Sequence, residues 1–401
     1  MESIDILILG GGPAGLSTAL HLVKFAPHLA PRILILEKAH YPRQKLCAGG
    51  LVRDAELLLD KLGLDVNEVP YVEAGSIHFN FRGKGLTIKH SNKRFLRFIR
   101  RDEFDTWLAL KARERRVEIR EGIQAIKVCA DIDGLIVQTN GGNYHARIVI
   151  GADGSNSITR RCMFPSIPVQ VARVLEVLTP YKVAIREQSK DKVDLKGKQE
   201  TIHNTPYLSD IPAVFDFFPV PRGIAGYTWH FPSQEEGIPM HCWGIYDANL
   251  FPNEKRESLI ELLSSEMERH GFDLGGFDLK GHPIRWFDPF NDLSGPRVLL
   301  VGDAAGVDPL FGEGISMALG YGKVAATTIV DGFKQDQFDF KGYKRRVLTS
   351  PLGQVLIARW LTAYFIYSVP WSWFHILLWR FLKPIKILIA WAFLLNWGWR
   401  M

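Results

Sequence analysis

Gly10-Gly11-Gly12-Pro13-Ala14-Gly15 stands between an apolar run, Ile4–Leu9, and a helical pattern over Leu16–Phe25, and a second apolar run, Ile33–Leu36, ends on Glu37. This order of residue types is that of a dinucleotide site. Gly10 permits a tight turn, Gly12 lets backbone approach a pyrophosphate, and Gly15 lets the helix pack closely on the strand. The helix that opens at Pro13 and Ala14 turns N–H groups and a positive dipole end toward the phosphates. Glu37, with Lys38 after it, is placed to accept from a ribose 2′-hydroxyl. The gap from the glycines is longer than usual, and Ala26–Pro31 reads as a loop that takes up the difference.

Two later junctions have related chemistry. Arg101-Asp102-Glu103-Phe104-Asp105 opens an amphipathic helix to Arg115, and Val117–Arg120, Ile123–Val128, Gly134–Thr139 and His145–Ile150 pattern as short strands. The last strand runs into Gly151-Ala152-Asp153-Gly154. A further strand, Val298–Val301, runs into Gly302-Asp303-Ala304-Ala305, and Gly312-Glu313-Gly314-Ile315 opens a helix to Val330. Glycine and aspartate are common in turns, so each junction alone says little. Beyond a strand and near a helix start, Asp303 can accept from a ribitol hydroxyl; a plain helix cap is the alternative.

Taken together, these segments resemble the flavoprotein superfamily of aromatic hydroxylases and geranylgeranyl reductases over residues 1–345. The resemblance implies an extended FAD. Gly10, Gly12, Pro13, Ala14, Gly15, Glu37 and Lys38 would serve its ADP half, Arg101 its phosphate or ribityl side, and Asp303 its ribitol. Asp153 belongs to the Asp-Gly motif that supports the FAD fold. Asp308-Pro309-Leu310-Phe311-Gly312-Glu313-Gly314 resembles the turn whose amides approach the isoalloxazine and stabilise its reduced anion, which places Gly312 and Gly314 at the cofactor and leaves Glu313 as a helix cap. NADPH or NADH is the implied electron donor, and ferredoxin or another reductant is the alternative.

Two stretches are similar to the geranylgeranyl reductases in particular. Tyr41–Gly50 resembles their Cys-Gly-Gly segment near the isoalloxazine, with Ala48 inserted after Cys47. Tyr227-x-Trp229-x-Phe231-Pro232 resembles their aromatic strand, whose alternation puts the three rings on one face and His230 on the other. The resemblance makes Cys47, Tyr227 and Trp229 catalytic candidates for FAD-dependent reduction of carbon–carbon double bonds in an isoprenoid or related hydrophobic substrate. A packed sheet face and a structural cysteine are the plain readings of the same residues. An FAD-dependent monooxygenase (hydroxylase) or halogenase on a hydrophobic substrate is the alternative, although the Trp-x-Trp-x-Ile-Pro segment of flavin halogenases is not present.

The elements that must position these groups follow from length and pattern. A chain of 401 residues exceeds one core. The expected fold is an α/β Rossmann-type FAD-binding domain (1–75, 99–165 and 285–345) interleaved with an α+β antiparallel-sheet substrate domain (76–98 and 166–284), plus a C-terminal helical appendage (346–401). Ser76–Phe81, Arg94–Ile99, Val171–Val177, Ala213–Pro219, Gly226–Phe231 and His241–Tyr246 are its expected antiparallel strands, and Glu187–Glu200 reads as a charged loop. The four cysteines lack metal or disulfide-framework spacing, and lysines and arginines do not interleave with aromatics, which argues against metal and nucleic acid.

The net charge of +6 is unevenly spread: no Asp or Glu follows Asp339, whereas nine basic residues and seven of the eleven tryptophans do. Arg359, Pro370, Arg380, Lys383, Pro384 and Lys386 interrupt the apolar runs, and the longest clean run, Ile387–Trp399, is too short for a hydrocarbon layer of about 30 Å. Helices lying in the interface plane fit this pattern; a packed lid or dimer contact is the alternative. The expected location is therefore cytoplasmic, peripheral to a membrane, without a secretory signal.

Overall fold

The computed structural model describes residues 1–89, 96–168, 170–181, 212–382 and 396–401. Ile6–Leu9 and Ile33–Leu36 are continuous apolar runs because both faces of their strands are covered, as parallel sheets require. Parallel strands Glu118–Glu121, Ile33–Glu37, Glu2–Leu9, Gly142–Gly151 and Val298–Leu300 lie side by side in that order, and antiparallel Ser294–Gly295 closes the edge. Gly142–Gly151 also pairs with Leu135–Thr139, which pairs with Ala125–Ala130, giving an antiparallel meander. Helices Pro13–Phe25 and Ile315–Gln335 cross in close contact. A Cβ on Gly322 would stand 2.4 Å from Ser17 Oγ, and that hydroxyl donates to Leu319 O at 2.9 Å.

The second sheet runs Lys280–Arg285, Val171–Pro180, Ile238–Asp247, Gly226–Glu235, Ala213–Asp216, Ser76–Phe81, Lys84–Lys89. It is antiparallel except where Ala213–Asp216 meets Ser76–Phe81. The structure departs from expectation in two places. Leu96–Ile99 does not join this sheet; it lies between Gly50–Leu51 and Tyr71–Ala74 in a three-stranded sheet, where all four of its residues are buried. The expected loop at Ala26–Pro31 is a 3-10 helix, Pro27–Arg32. Glu187–Glu200 lies outside the described residues.

The C-terminal region is more deeply embedded than an in-plane helix would be. Tyr343–Thr349, Pro351–Tyr367 and Ser372–Ile376, continued to Phe381, pack back over the two sheets. Trp397 is fully buried against Gly320, and Asp54 fixes the chain on either side of it by accepting from Asn396 N at 3.1 Å and Gly398 N at 2.7 Å. Among the described residues no helix is long and apolar enough to cross a membrane. Most of Ile387–Trp399 lies outside them. Trp397→Ala is expected to cost about 3–5 kcal/mol through cavity formation, read as a lower denaturant midpoint; an unchanged midpoint would mean that this contact carries no stability.

Candidate functional site

The glycine turn is built by local necessity. Gly10 has φ +108°, and a Cβ there would strike Ala152 O at 2.3 Å; a Cβ on Gly15 would strike Gly10 O at 2.0 Å. Only glycine permits both the turn and the helix–strand approach. The helix then starts at Pro13 with no side-chain cap and no acid in its first turn, so its positive end is left for another partner. Glu37 is buried beside it: Oε2 accepts from Gly11 N at 2.8 Å and Oε1 from Ala39 N at 3.1 Å. Lys38 points to solvent.

Arg43, which the sequence did not single out, joins this turn to the next element. Its guanidinium stands 3.3 Å from where a Gly12 Cβ would be, 3.6 Å from Glu37 Oε2, and 2.8 Å from Asp105 Oδ2. Asp105 is fully buried and also takes Arg101 in two parallel bonds of 2.9 Å. Burial opposes the Arg101 charge, yet Asp105 holds its pKa above the ordinary value. A charged chain thus runs from the end of the second strand to the centre of the molecule.

The other two junctions differ in role. Asp153 accepts from Ser157 Oγ at 2.5 Å and from Thr159 N and Oγ1 at 2.9 and 3.0 Å, so its carboxylate fixes the loop and the start of the following helix. Asp303 accepts from Ser155 Oγ at 3.0 Å and lies 3.6 Å from where a Gly314 Cβ would be, which brings the second and third junctions together. Glu313 caps the long helix by accepting from Ser316 N at 2.8 Å.

The Asp308–Gly314 turn is held from three sides. Tyr246, Tyr367 and Tyr227 hydroxyls donate to the carbonyls of Pro309, Leu310 and Phe311 at 2.9, 2.5 and 2.6 Å. Gly312 has φ +65° and lies against the Tyr246 ring, where a Cβ would approach to 2.8 Å. Arg359, 2% exposed, donates to Asp308 Oδ2 at 2.7 Å and lies 3.5 Å from Glu313 Oε2. In the sequence Arg359 reads as an interruption in a surface helix. It is instead a buried counter-ion, because Asp308 has no water to solvate it.

Strand pairing assembles the aromatic face. Tyr227, Trp229 and Phe231 stand opposite Tyr246, Gly244 and Cys242, which stand opposite Val174, Glu176 and Leu178. The eight side chains among them project to one side of the sheet, with Gly244 leaving space between them. A Cβ on Gly244 would come within 2.0 Å of the Trp229 ring, so glycine there lets the indole lie across the sheet. Phe215 packs on Tyr227 and Phe231 with centroids 5.2 and 4.9 Å apart. His230 takes the opposite face, stacked on Trp243 at 3.8 Å with its Nε2 2.7 Å from His241 Nδ1. Burial, then the His241 charge, pushes its pKa down to about 2, so it is neutral.

Cys47, in the loop that follows the second strand, packs against the core of the first sheet, and its backbone amide reaches Glu176 on this face. Burial pushes its thiol pKa up, and Arg101 opposes that shift. Its sulfur accepts from Gly49 N at 3.4 Å. Trp229 Nε1 points to Cys242 Sγ at 3.4 Å, and Cys47 and Cys242 are both free.

The uncapped helix end, the glycine turn and the Glu37–Arg43 pair fit the ADP half of FAD, and Asp303 with the Gly312–Gly314 turn fits its other half. A Rossmann-like sheet carrying these groups beside a buried aromatic face defines a flavin-dependent redox enzyme acting on a hydrophobic substrate. The chain belongs to the FAD binding domain family, which matches residues 3–233. It is 27% identical over 363 residues to digeranylgeranylglycerophospholipid reductase 1 of Methanopyrus kandleri, covering 85% of this chain and 84% of that protein. In fold it is similar to a geranylgeranyl bacteriochlorophyll reductase-like protein of Thermoplasma acidophilum, with TM-score 0.72, 19% identity, and coverage of 92% and 89% of the two chains. It is similar also to a flavin-dependent brominase, with TM-score 0.66, 18% identity, and coverage of 97% and 92%.

Gly12→Ala separates fold from site. Its Cβ would meet only the far end of Arg43, at 3.3 Å. The expected result is an unchanged far-ultraviolet spectrum with reduced FAD occupancy, measured by flavin absorbance after reconstitution; wild-type FAD affinity would remove Gly12 from the cofactor cradle.

Proposed function

We propose that the chain reduces carbon–carbon double bonds of an isoprenoid or related hydrophobic substrate, with NADPH or NADH as the electron source. Bound FAD supplies the two-electron chemistry. The chain's own residues supply the remainder. Gly10, Gly12, Gly15, Glu37, Arg101 and Asp303 hold and orient the cofactor, and the amides around Gly312 and Gly314 favour negative charge at their helix end. Tyr227, Trp229 and Phe231 wall off water and shape an apolar channel for a chain-like substrate. Cys47 is free, and its loop reaches the aromatic face at Glu176, which places the thiol to hand a proton to carbon. This reading rests chiefly on that juxtaposition of Cys47 with the Tyr227–Trp229 face, and the Methanopyrus relative supports the substrate class.

The likeness to the brominase favours a second reading, FAD-dependent oxygenation or halogenation at the same face. The same flavin cradle serves either chemistry. Anaerobic reaction of the reduced enzyme with a panel of isoprenyl lipids separates them: saturation adds about 2 Da per double bond without oxygen, whereas hydroxylation adds about 16 Da and requires it. The expected product is saturated, and Cys47→Ala is expected to lower turnover while keeping FAD. Product formed only with oxygen and carrying one added oxygen would establish the second reading.

The C-terminal helices extend the proposal to a surface. Phe365, Trp371, Trp373 and Phe381 are each about 60% exposed or more. Phe365 meets Phe374 at 5.8 Å, Phe374 meets Trp373 at 6.3 Å and Trp373 meets Trp371 at 5.9 Å, so Phe365, Trp371 and Trp373 form one face. The inner side of the same segment stacks Trp379 on Phe217 at 4.0 Å. Aromatic exposure in an acid-free, basic segment suits docking on an anionic lipid surface, with substrate drawn from the bilayer toward the aromatic face. Flotation with anionic liposomes is expected and should weaken in Phe365→Ser/Trp373→Ser; equal partition of both proteins with and without lipid would overturn the docking.

A further inference from the structure

Val171–Pro180 carries one acid, Glu176, and the strand register turns it to the same face as Tyr227, Trp229 and Phe231. It stands between Gly244 on one neighbouring strand and Lys280 on the other. The carboxyl is 5% exposed and its Oε2 accepts no hydrogen bond. A buried carboxyl with one oxygen unpaired is costly. Its position gives it a use: the backbone amide of Cys47 and the thiol of Cys242 approach it, with Arg100 and Lys280 as the facing cations. On the adjoining strand His282 faces the same side, and burial keeps it neutral at a pKa of about 4.

We propose that Glu176 is the proton reservoir behind Cys47, an inference that rests on the reductive reading above. Saturation of a double bond takes one hydride, from a reductant of the flavin class, and one proton. The Cys47 S–H bond breaks as the new C–H bond forms, leaving a thiolate. The Glu176 O–H bond then breaks and S–H re-forms, leaving a carboxylate that takes its proton from solvent. Glu176 is suited to this because burial pushes its pKa up to about 7, so both forms are populated near neutrality. Its carboxylate also raises the Cys47 pKa. Transfer from neutral Glu176 to the thiolate is therefore favoured, because the carboxylate it leaves makes the sulfur hold its proton more tightly. Glu176 acts through Cys47, as a positioning and relay residue.

Thiol alkylation reads this coupling without any substrate. In FAD-loaded protein, the iodoacetamide rate at Cys47, resolved by peptide mass from that at the other cysteines, is followed over about pH 6–10 in wild type, Glu176→Gln and Glu176→Asp. Loss of the Glu176 charge should move the Cys47 inflection to lower pH in the Gln variant, and the Asp variant should fall nearer to wild type. Turnover in the Gln variant should drop by about 100-fold and lose its inflection near neutrality, with FAD content unchanged. Superimposable alkylation profiles for wild type and Glu176→Gln would overturn the relay. Oxygenated product alongside a shifted profile would overturn the reductive reading and leave the Glu176–Cys47 coupling supported, so the two failures are distinguishable.

Discussion

The ion pair between Arg359 and Asp308 joins parts of the molecule that are far apart in sequence. A buried carboxyl, Asp308, and a partly buried one, Glu313, lie at the turn between the nucleotide-binding sheet and its long helix, and Arg359 comes from the appended C-terminal helix to meet both. Removing one member of such a pair leaves a charge without water, at a typical cost of about 3–5 kcal/mol. The C-terminal helix therefore helps to fix the shape of the turn. Tyr367, from that same helix, adds a bond to Leu310, and Tyr227 and Tyr246 add theirs from the second sheet. Appendage, aromatic face and glycine turn form one mechanical unit.

That dependence reconciles two readings of the C-terminal region. Its composition suggests a membrane surface, and its rings are indeed exposed on one side. Its other side is core: Arg359 and Trp397 are buried, and Trp379 stacks on Phe217. A helix that is apolar nearly all round satisfies both demands, with one face against protein and the other toward an apolar exterior. Phe217, on which Trp379 stacks, meets the Tyr227 ring at 5.6 Å, so the inner side of the appendage reaches the aromatic face.

The aromatic face departs from ordinary sheet design at Gly244 and Glu176. Glycine in a central strand weakens it, and a carboxyl in a buried face is costly. Gly244 is explained by the Trp229 indole lying over it. Glu176 is explained by the Cys47 loop lying over it. Such departures from local consistency are expected where function constrains the fold.

By itself, the sequence determined what depends on neighbouring residues: the glycine turn at Gly10–Gly15, the acid at the end of the second strand, the junctions at Asp153 and Asp303, and the alternation that separates Tyr227 and Trp229 from His230. Each is set within a few residues by backbone geometry, so residue type and spacing suffice to read it. Only the tertiary structure decided which distant charges meet. Arg43, Arg359 and Glu176 look like ordinary solvated residues in the chain until they meet Asp105, Asp308 and the Cys47 loop; Leu96–Ile99 looks like any other short strand until its partners are known. Their roles come from desolvation and strand pairing between remote segments, and a buried charge acquires its partner only when the chain has folded around it.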